Sequence, residues 1–265
     1  MDIGDLIELN GSINTKVICN ETKTRVYEII REFDYQGDEI LLITLYPTIS
    51  SPYMLDLSTM HMINHAGGSF LKWSKIHFLF LFSTVAGAKL STRNLTVDED
   101  NLDYIRKVIQ ENASSKIVIS YGASMDKCPA AIKSKVELFK IIKELRPDEA
   151  LWQISAYGME EEAPHILFAG IRYGTESWSL SHYVIPYRFT PEGYESYLSS
   201  KQEARERFVK NVLEAGKRNK AKKEPVTDPD EGSELDETPK MVKGAENRQR
   251  TKRRKGKNVE NEESN

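Results

Sequence analysis

The chain lacks the features that define several large protein classes. Only two cysteines, Cys19 and Cys128, occur in 265 residues, in no C-x-x-C pair and no metal-type cluster. This excludes a disulfide framework and a zinc ribbon and suits a reducing cytoplasm, with one Cys19–Cys128 disulfide left open. Long apolar runs are missing as well. The most hydrophobic window, IHFLFLFSTVAGA, has 13 residues and begins with a histidine, whereas a membrane-spanning helix needs about 20. The opening MDIGDLIELN is acidic and has neither the basic start nor the apolar stretch of a signal peptide. A soluble cytoplasmic protein, away from membranes, is expected. The glycine patterns of nucleotide enzymes are absent too: no Walker loop, no G-x-G-x-x-G and no G-x-S-x-G occurs, and GIRYG at 170–174 is too short for a phosphate loop. That disfavours P-loop NTPases, dinucleotide oxidoreductases and α/β-hydrolases. No cofactor and no metal site is expected.

What is present is an uneven charge distribution over a chain long enough to bury a full core. The formal charge is −3, but 201–265 holds 18 Lys/Arg against 14 Asp/Glu, so that segment carries +4 and residues 1–200 carry −7. Residues 16–33 suggest two strands around Asn20-Glu21-Thr22, an edge hairpin. A regular alternation then begins. Apolar strands are expected at 39–46, 75–83, 116–122, 150–156 and 165–171. Between them, helical patterns cover 57–66, ended by Gly67-Gly68, then 98–113, with Leu102, Ile105, Val108 and Ile109 on one face, and 129–145, opened by Pro129. Strands without polar alternation, separated by amphipathic helices, indicate βαβ units and a parallel sheet covered on both faces. The expected fold is a three-layer α/β/α sandwich with a mostly parallel sheet, a single domain in 1–200 with its core at about 15–195. An amphipathic helix is expected at 201–219, and a disordered charged tail at 220–265, because almost nothing apolar remains there to offset ordering entropy.

In such a sheet, ligands bind at the carboxyl ends of the strands near a switch in strand order. Three exits read directly from the sequence: Tyr46-Pro47-Thr48-Ile49-Ser50-Ser51 with Asp56; Ser83-Thr84 with Gly87; and Tyr121-Gly122-Ala123-Ser124 with Asp126. All are rich in small hydroxyl or glycine residues, which serve equally as turn formers and helix caps. His61 and His65 share a helix face at zinc-protease spacing, but Met62 replaces the glutamate of that motif, so two surface histidines flanking an apolar helix face are the simpler reading. Cys128 precedes a helix start without an identifiable partner and reads as inert. His182, in SHYVIPYRF, is a candidate general acid or base. The block RQRTKRRKGK at 248–257, with Arg248, Arg250, Lys252, Arg253, Arg254 and Lys255, suits phosphate contacts with nucleic acid or another polyanion, behind an acidic run at 224–237.

The order TRVYEIIREFD, LYPTISS with Asp56 and Thr59, FLFLFSTVAG, DEDN and SYG resembles a family of uncharacterised bacterial, phage and plasmid domains. Its members read R-Y-x-L-x-R-x-W, L-N-P-S-T-A-D with a following D-x-T, N-L-F-A, an E-N pair, A-W-G and H-P-L-Y. The matching positions are Arg25 or Tyr27 with Arg31, then Leu45, Pro47, Thr48, Asp56, Leu81-Phe82, Asp100-Asn101, Gly122 and His182, over about residues 24–190. Tyr46 and Phe80 stand where the family has asparagine, Tyr121 where it has tryptophan, and Tyr183 where it has proline. The leucine-asparagine-proline turn is also similar to the first motif of uracil-DNA glycosylase-like proteins, which share an α/β/α sandwich. Two readings follow. In one, a mobile-element-type protein binds a nucleotide or nucleic acid through Tyr46, Thr48, Ser50, Ser83, Tyr121 and Gly122. Its glycosylase-like version has Asp56 orienting water and His182 stabilising the leaving group. In the other, a non-enzymatic interaction protein has its pocket plugged by the tyrosines and recruits nucleic acid or a partner through the basic tail.

Overall fold

The structure, a computed structural model, describes residues 8–67, 71–87 and 89–221. The expected disordered tail, with its basic block at 248–257, lies outside the described residues from 222 onward, while Lys220 and Ala221 end the last helix. Seven strands form one sheet: β1 (Ile13–Cys19), β2 (Val26–Phe33), β3 (Asp38–Thr44), β4 (Trp73–Phe80), β5 (Lys116–Ile119), β6 (Leu151–Ser155) and β7 (Ser179–Tyr183). Five helices accompany them: α1 (Leu57–Ala66), α2 (Glu99–Glu111), α3 (Pro129–Leu145), α4 (Ile166–Tyr173) and α5 (Pro191–Ala221), with a 3₁₀ turn at Tyr187–Phe189. The strand order is β1-β2-β4-β3-β5-β6-β7. The four middle strands β4, β3, β5 and β6 run parallel. The β1–β2 hairpin adds antiparallel at one edge and β7 at the other. This is the α/β/α sandwich with a mostly parallel sheet and an N-terminal edge hairpin.

Two hydrophobic layers explain why β3 reads as an unbroken apolar run. Ile40 and Leu42 point to one face, where Met62 and Ala66 of α1 and Ile166 and Ala169 of α4 pack. Leu41 and Ile43 point to the other, against Ile105 and Ile109 of α2 and Leu138 and Ile142 of α3. All four β3 residues are fully buried. At about 1.5–3 kcal/mol for each such side chain, β3 anchors both layers.

Two sequence expectations are corrected. HILFAGI was expected as a strand but forms α4, capped by His165, whose Nδ1 accepts the Leu167 N–H at 3.2 Å. A seven-residue apolar run fits a buried strand or a buried helix equally well, and packing decides between them. Ala169 and Gly170 form the close contact with α1, and a Cβ on Gly170 would sit 2.1 Å from His61 Cγ. The next strand is therefore β7, antiparallel to β6. The helix expected at 201–219 is the later part of α5, which begins ten residues earlier at Pro191, a favoured first position for a helix.

Candidate functional site

The chain leaves β3 through α1 toward β4, and leaves β5 through α3 toward β6, on the other side. Since α1 and α3 cover opposite faces, the loops after β3 and β5 part and leave a crevice between them, the expected ligand position in an open α/β sheet. Three segments meet there: 45–56, 120–128 and 156–165.

The last two segments are tied together. Ser120 Oγ donates to the Pro164 carbonyl at 2.6 Å, and the Gly122 N–H donates to the Ala163 carbonyl at 2.9 Å. The Ala163 N–H in turn donates to Gln153 Oε1 at 2.7 Å. These bonds hold Ala163 at φ +44°, a conformation a residue with a Cβ adopts at a cost of about 1–3 kcal/mol. Gly122, at φ +65°, has room for no side chain, because a Cβ would stand 2.8 Å from His165 Cβ. His165 thus becomes a wall between two cavities and lines both. Burial holds its imidazole below the usual histidine range, with Asp56 pulling the other way. Because Nδ1 accepts a hydrogen bond, the ring is the neutral Nε2–H tautomer.

On one side lies a cavity of about 130 Å³ bounded by Thr44, Tyr46, Thr48, Asp56 and Phe80. Two of its polar side chains, Thr48 and Asp56, are engaged with each other. Asp56 caps α1 by accepting the Thr59 N–H at 2.7 Å on Oδ1, and it accepts the Thr48 hydroxyl on Oδ2. Tyr46 packs against the α2/α3 layer.

On the other side lies a cavity of about 600 Å³. Tyr121, Gly122 and Asp126 contribute from the β5 exit, and Glu161 and Glu162 from the loop before α4. Leu167, Phe168 and Ile171 of α4 supply an apolar wall, and Arg188 closes the rim. A closed ring of six side chains runs through its wall, with Lys135 and Tyr183 behind. Lys135, fully buried on α3, donates to Asp126 Oδ1 at 2.5 Å. Arg188 donates to Asp126 Oδ2 at 3.2 Å and to both Glu162 oxygens at 3.3 Å. Tyr183 donates to Glu162 at 3.4 Å and shares a 2.6 Å hydrogen bond with Tyr121. The Lys135 ammonium completes the circuit 3.9 Å from the centre of the Tyr121 ring. Burial lowers the Lys135 pKa against the opposing pull of Asp126, and burial raises both tyrosines far above their usual value.

The crevice brings Tyr46, Thr48 and Asp56 together on the small side and Tyr121 and Gly122 on the large side. Ser50, half-buried in the β3 exit, lines neither cavity. Ser83 belongs to a different cluster, where its hydroxyl accepts from Arg25 at 2.7 Å and donates to Asp98 at 2.7 Å. His182 is exposed on β7, opposite Trp152, and stacks on that indole at 4.5 Å. It stands level with Val118, inside the sheet rather than beyond its carboxyl ends, and three strands from β3, about 14 Å at strand spacing. Asp56 and His182 therefore do not meet. His61 and His65 pack α1 onto its neighbours, His61 against Gly170 and His65 stacked on Trp178 at 3.8 Å. Among the described residues no group of three His, Cys, Asp or Glu is placed to hold a metal ion, and no helix is long and apolar enough to cross a membrane.

Sequence reasoning did not reach Lys135, Glu161, Glu162, His165 or Arg188. Only Lys135 left a signal, a lysine between the apolar positions Ile132 and Phe139 on the buried face of α3. Compared with known proteins, the chain has no match among family models, curated proteins or solved structures.

Proposed function

We propose that the protein is a binding domain for a nucleobase-bearing ligand, a nucleoside or the base of a nucleotide or nucleic-acid strand, held in the larger cavity beyond His165. The observation that carries the reading is a 600 Å³ cavity beyond the carboxyl end of β5, beside the switch point of the sheet, with an apolar wall on one side and carboxylates on the other. A flat heterocycle matches that pairing: the wall covers its face, and the carboxylates accept its N–H groups.

The charge balance decides the orientation. Asp126, Glu161 and Glu162 face the cavity against Arg188, with Lys135 behind. A phosphate would be repelled there, so the base enters and any phosphate stays in solvent. Binding without catalysis is favoured by the occupied state of Asp56 and by the distance of His182. The mobile-element affiliation rests on the motif resemblance alone. The basic block at 248–257 would add salt-sensitive contacts with a nucleic-acid backbone.

The test is a thermal-stability screen of the full chain with nucleosides and the matching monophosphates, repeated with Phe168→Ala. Stabilisation by nucleosides that Phe168→Ala weakens at least tenfold supports the proposal. Equal stabilisation of wild type and variant, or none by any base, contradicts it.

A further inference from the structure

A second charge cluster lies away from the crevice, where the edge hairpin joins the parallel strands. His77, in the middle of β4, is buried together with Glu28 of the neighbouring β2, each side chain 5% exposed. Its Nδ1 stands 2.5 Å from Glu28 Oε1, and its Nε2 stands 2.7 Å from Glu39 Oε1 on β3. Each glutamate has a further donor. Tyr104 of α2 donates to Glu28 Oε2 at 2.6 Å, and Lys75 of β4 donates to Glu39 Oε1 at 2.8 Å. Burial and the bond to Glu28 hold the Tyr104 phenol far above its usual value, so it keeps its proton. Burial pushes the Glu39 carboxyl up, but Lys75 and His77 outweigh it and hold that carboxyl below the usual carboxylate range. A carboxylate only accepts hydrogen bonds, whereas a neutral imidazole has one N–H and one acceptor. Satisfying both carboxylates requires an N–H at each ring nitrogen.

We propose that His77 is an imidazolium that straps the β1–β2 hairpin to the parallel strands, and that losing its second proton at alkaline pH loosens this junction. The strap crosses three neighbouring strands, β2, β4 and β3, at the place where antiparallel pairing gives way to parallel. With both protons present, two carboxylates face two cations, the His77 ring and Lys75. The surrounding groups favour the extra proton. On α2, Glu111 acts on Tyr104, and Lys107 is committed to Glu111 at 3.7 Å. From β2 come Glu32, exposed and opposite Lys75 in the register, and Tyr27, whose ring lies 5.5 Å from that of Tyr104. Arg25 lies over Tyr27 but is paired with Asp98 and Asp100. When the second proton leaves, one carboxylate meets a ring lone pair, and the cluster keeps an unbalanced negative charge largely shut off from water, a costly state. The contribution of the strap is thus complete at neutral pH and lost as pH rises. That is opposite to the direction expected of His165, which burial holds neutral.

The experiment is nitrogen NMR of the full chain labelled at the histidine rings, titrated from neutral to alkaline pH beside Glu39→Gln. A doubly protonated ring shows two N–H nitrogens, and a neutral ring shows one N–H and one bare nitrogen. At pH 7.5 one of the five histidines should show two N–H nitrogens. It should release its second proton on the alkaline side, with the backbone amides of Ile29, Ile30 and Arg31 shifting in step. Glu39 is partly exposed at the start of β3, so glutamine there leaves the fold intact, and the ring should release that proton at lower pH than in the wild type. Five neutral rings at pH 7.5 would overturn the proposal, because the cluster would then hold its proton on a glutamate. A doubly protonated ring that titrates identically in Glu39→Gln would belong to another histidine and overturn it too. Release of the proton with the β2 amides unmoved would refute the role of the ring as a strap.

Discussion

The β3 and β5 exits start from similar sequence and end in opposite states. YPTISS and YGAS both pair a tyrosine with small, turn-forming residues. After β3 those residues satisfy each other: Thr48 donates to Asp56, Asp56 caps α1, and about 130 Å³ remains. After β5, Gly122 turns the chain away, and Asp126, Glu162 and Arg188 pair along the wall of a cavity of about 600 Å³, with Lys135 fully buried behind them. A hydroxyl-rich strand exit therefore does not by itself make a site. What distinguishes the two exits is whether polar groups are satisfied within their own loop or by an independent scaffold behind it.

The comparison can be broken most severely at Lys135. Lys135→Met leaves Asp126 with Arg188 alone. Removing one partner of a buried pair costs about 3–5 kcal/mol, so urea denaturation should show a loss near the lower end of that range, with nucleoside binding abolished. Asp126→Asn in the same background should recover part of the stability, since the unpaired charge is gone. Gly122→Ala comes next. Positive φ and the contact with His165 should cost about 1–3 kcal/mol and weaken ligand binding, because the wall between the cavities shifts.

Asp56→Ala is expected to cost about 0.5–2 kcal/mol, as loss of an N-cap does, while leaving affinity in the larger cavity unchanged. Loss of binding with little loss of stability would instead place the ligand on the β3 side. The pH response should be milder. His165 and His65 both have pKa values lowered by burial, so the unfolded chain takes up protons before the folded one. Stability is then fully present above about 6.5, the unfolded value, and declines as pH falls through the folded values. Thermal melts from pH 7.5 to 5 should show that decline, and His165→Gln should flatten it. The smallest effect belongs to His182→Ala, within about 0.5 kcal/mol and without change in ligand affinity, as at other exposed positions.

Much of the fold was legible because its signals are local. The α1 and α3 boundaries follow from Gly67, Pro129 and the apolar periodicity, and β3 and β4 from length and hydrophobicity. HILFAGI was not legible. Its assignment depends on Gly170 fitting against His61, a contact between residues more than a hundred positions apart. The candidate site was half legible for the same reason. Tyr46, Thr48, Tyr121 and Gly122 sit at strand exits, where an α/β sheet puts ligands. Glu161 and Glu162 lie in a loop held by Ser120, Gly122 and Gln153, and Arg188 lies in the 3₁₀ turn after β7. Lys135 stands mid-helix, where only the tertiary fold turns a charge inward.

The most direct measurement is the map of backbone amide chemical-shift changes in the full chain on titration with guanosine. The account expects shifts at Gly122, Glu161, Phe168 and Ile171, with Ser58 and Thr59 at the start of α1 unmoved. Shifts centred on Asp56–Thr59, with none around Glu161 and Phe168, would contradict it.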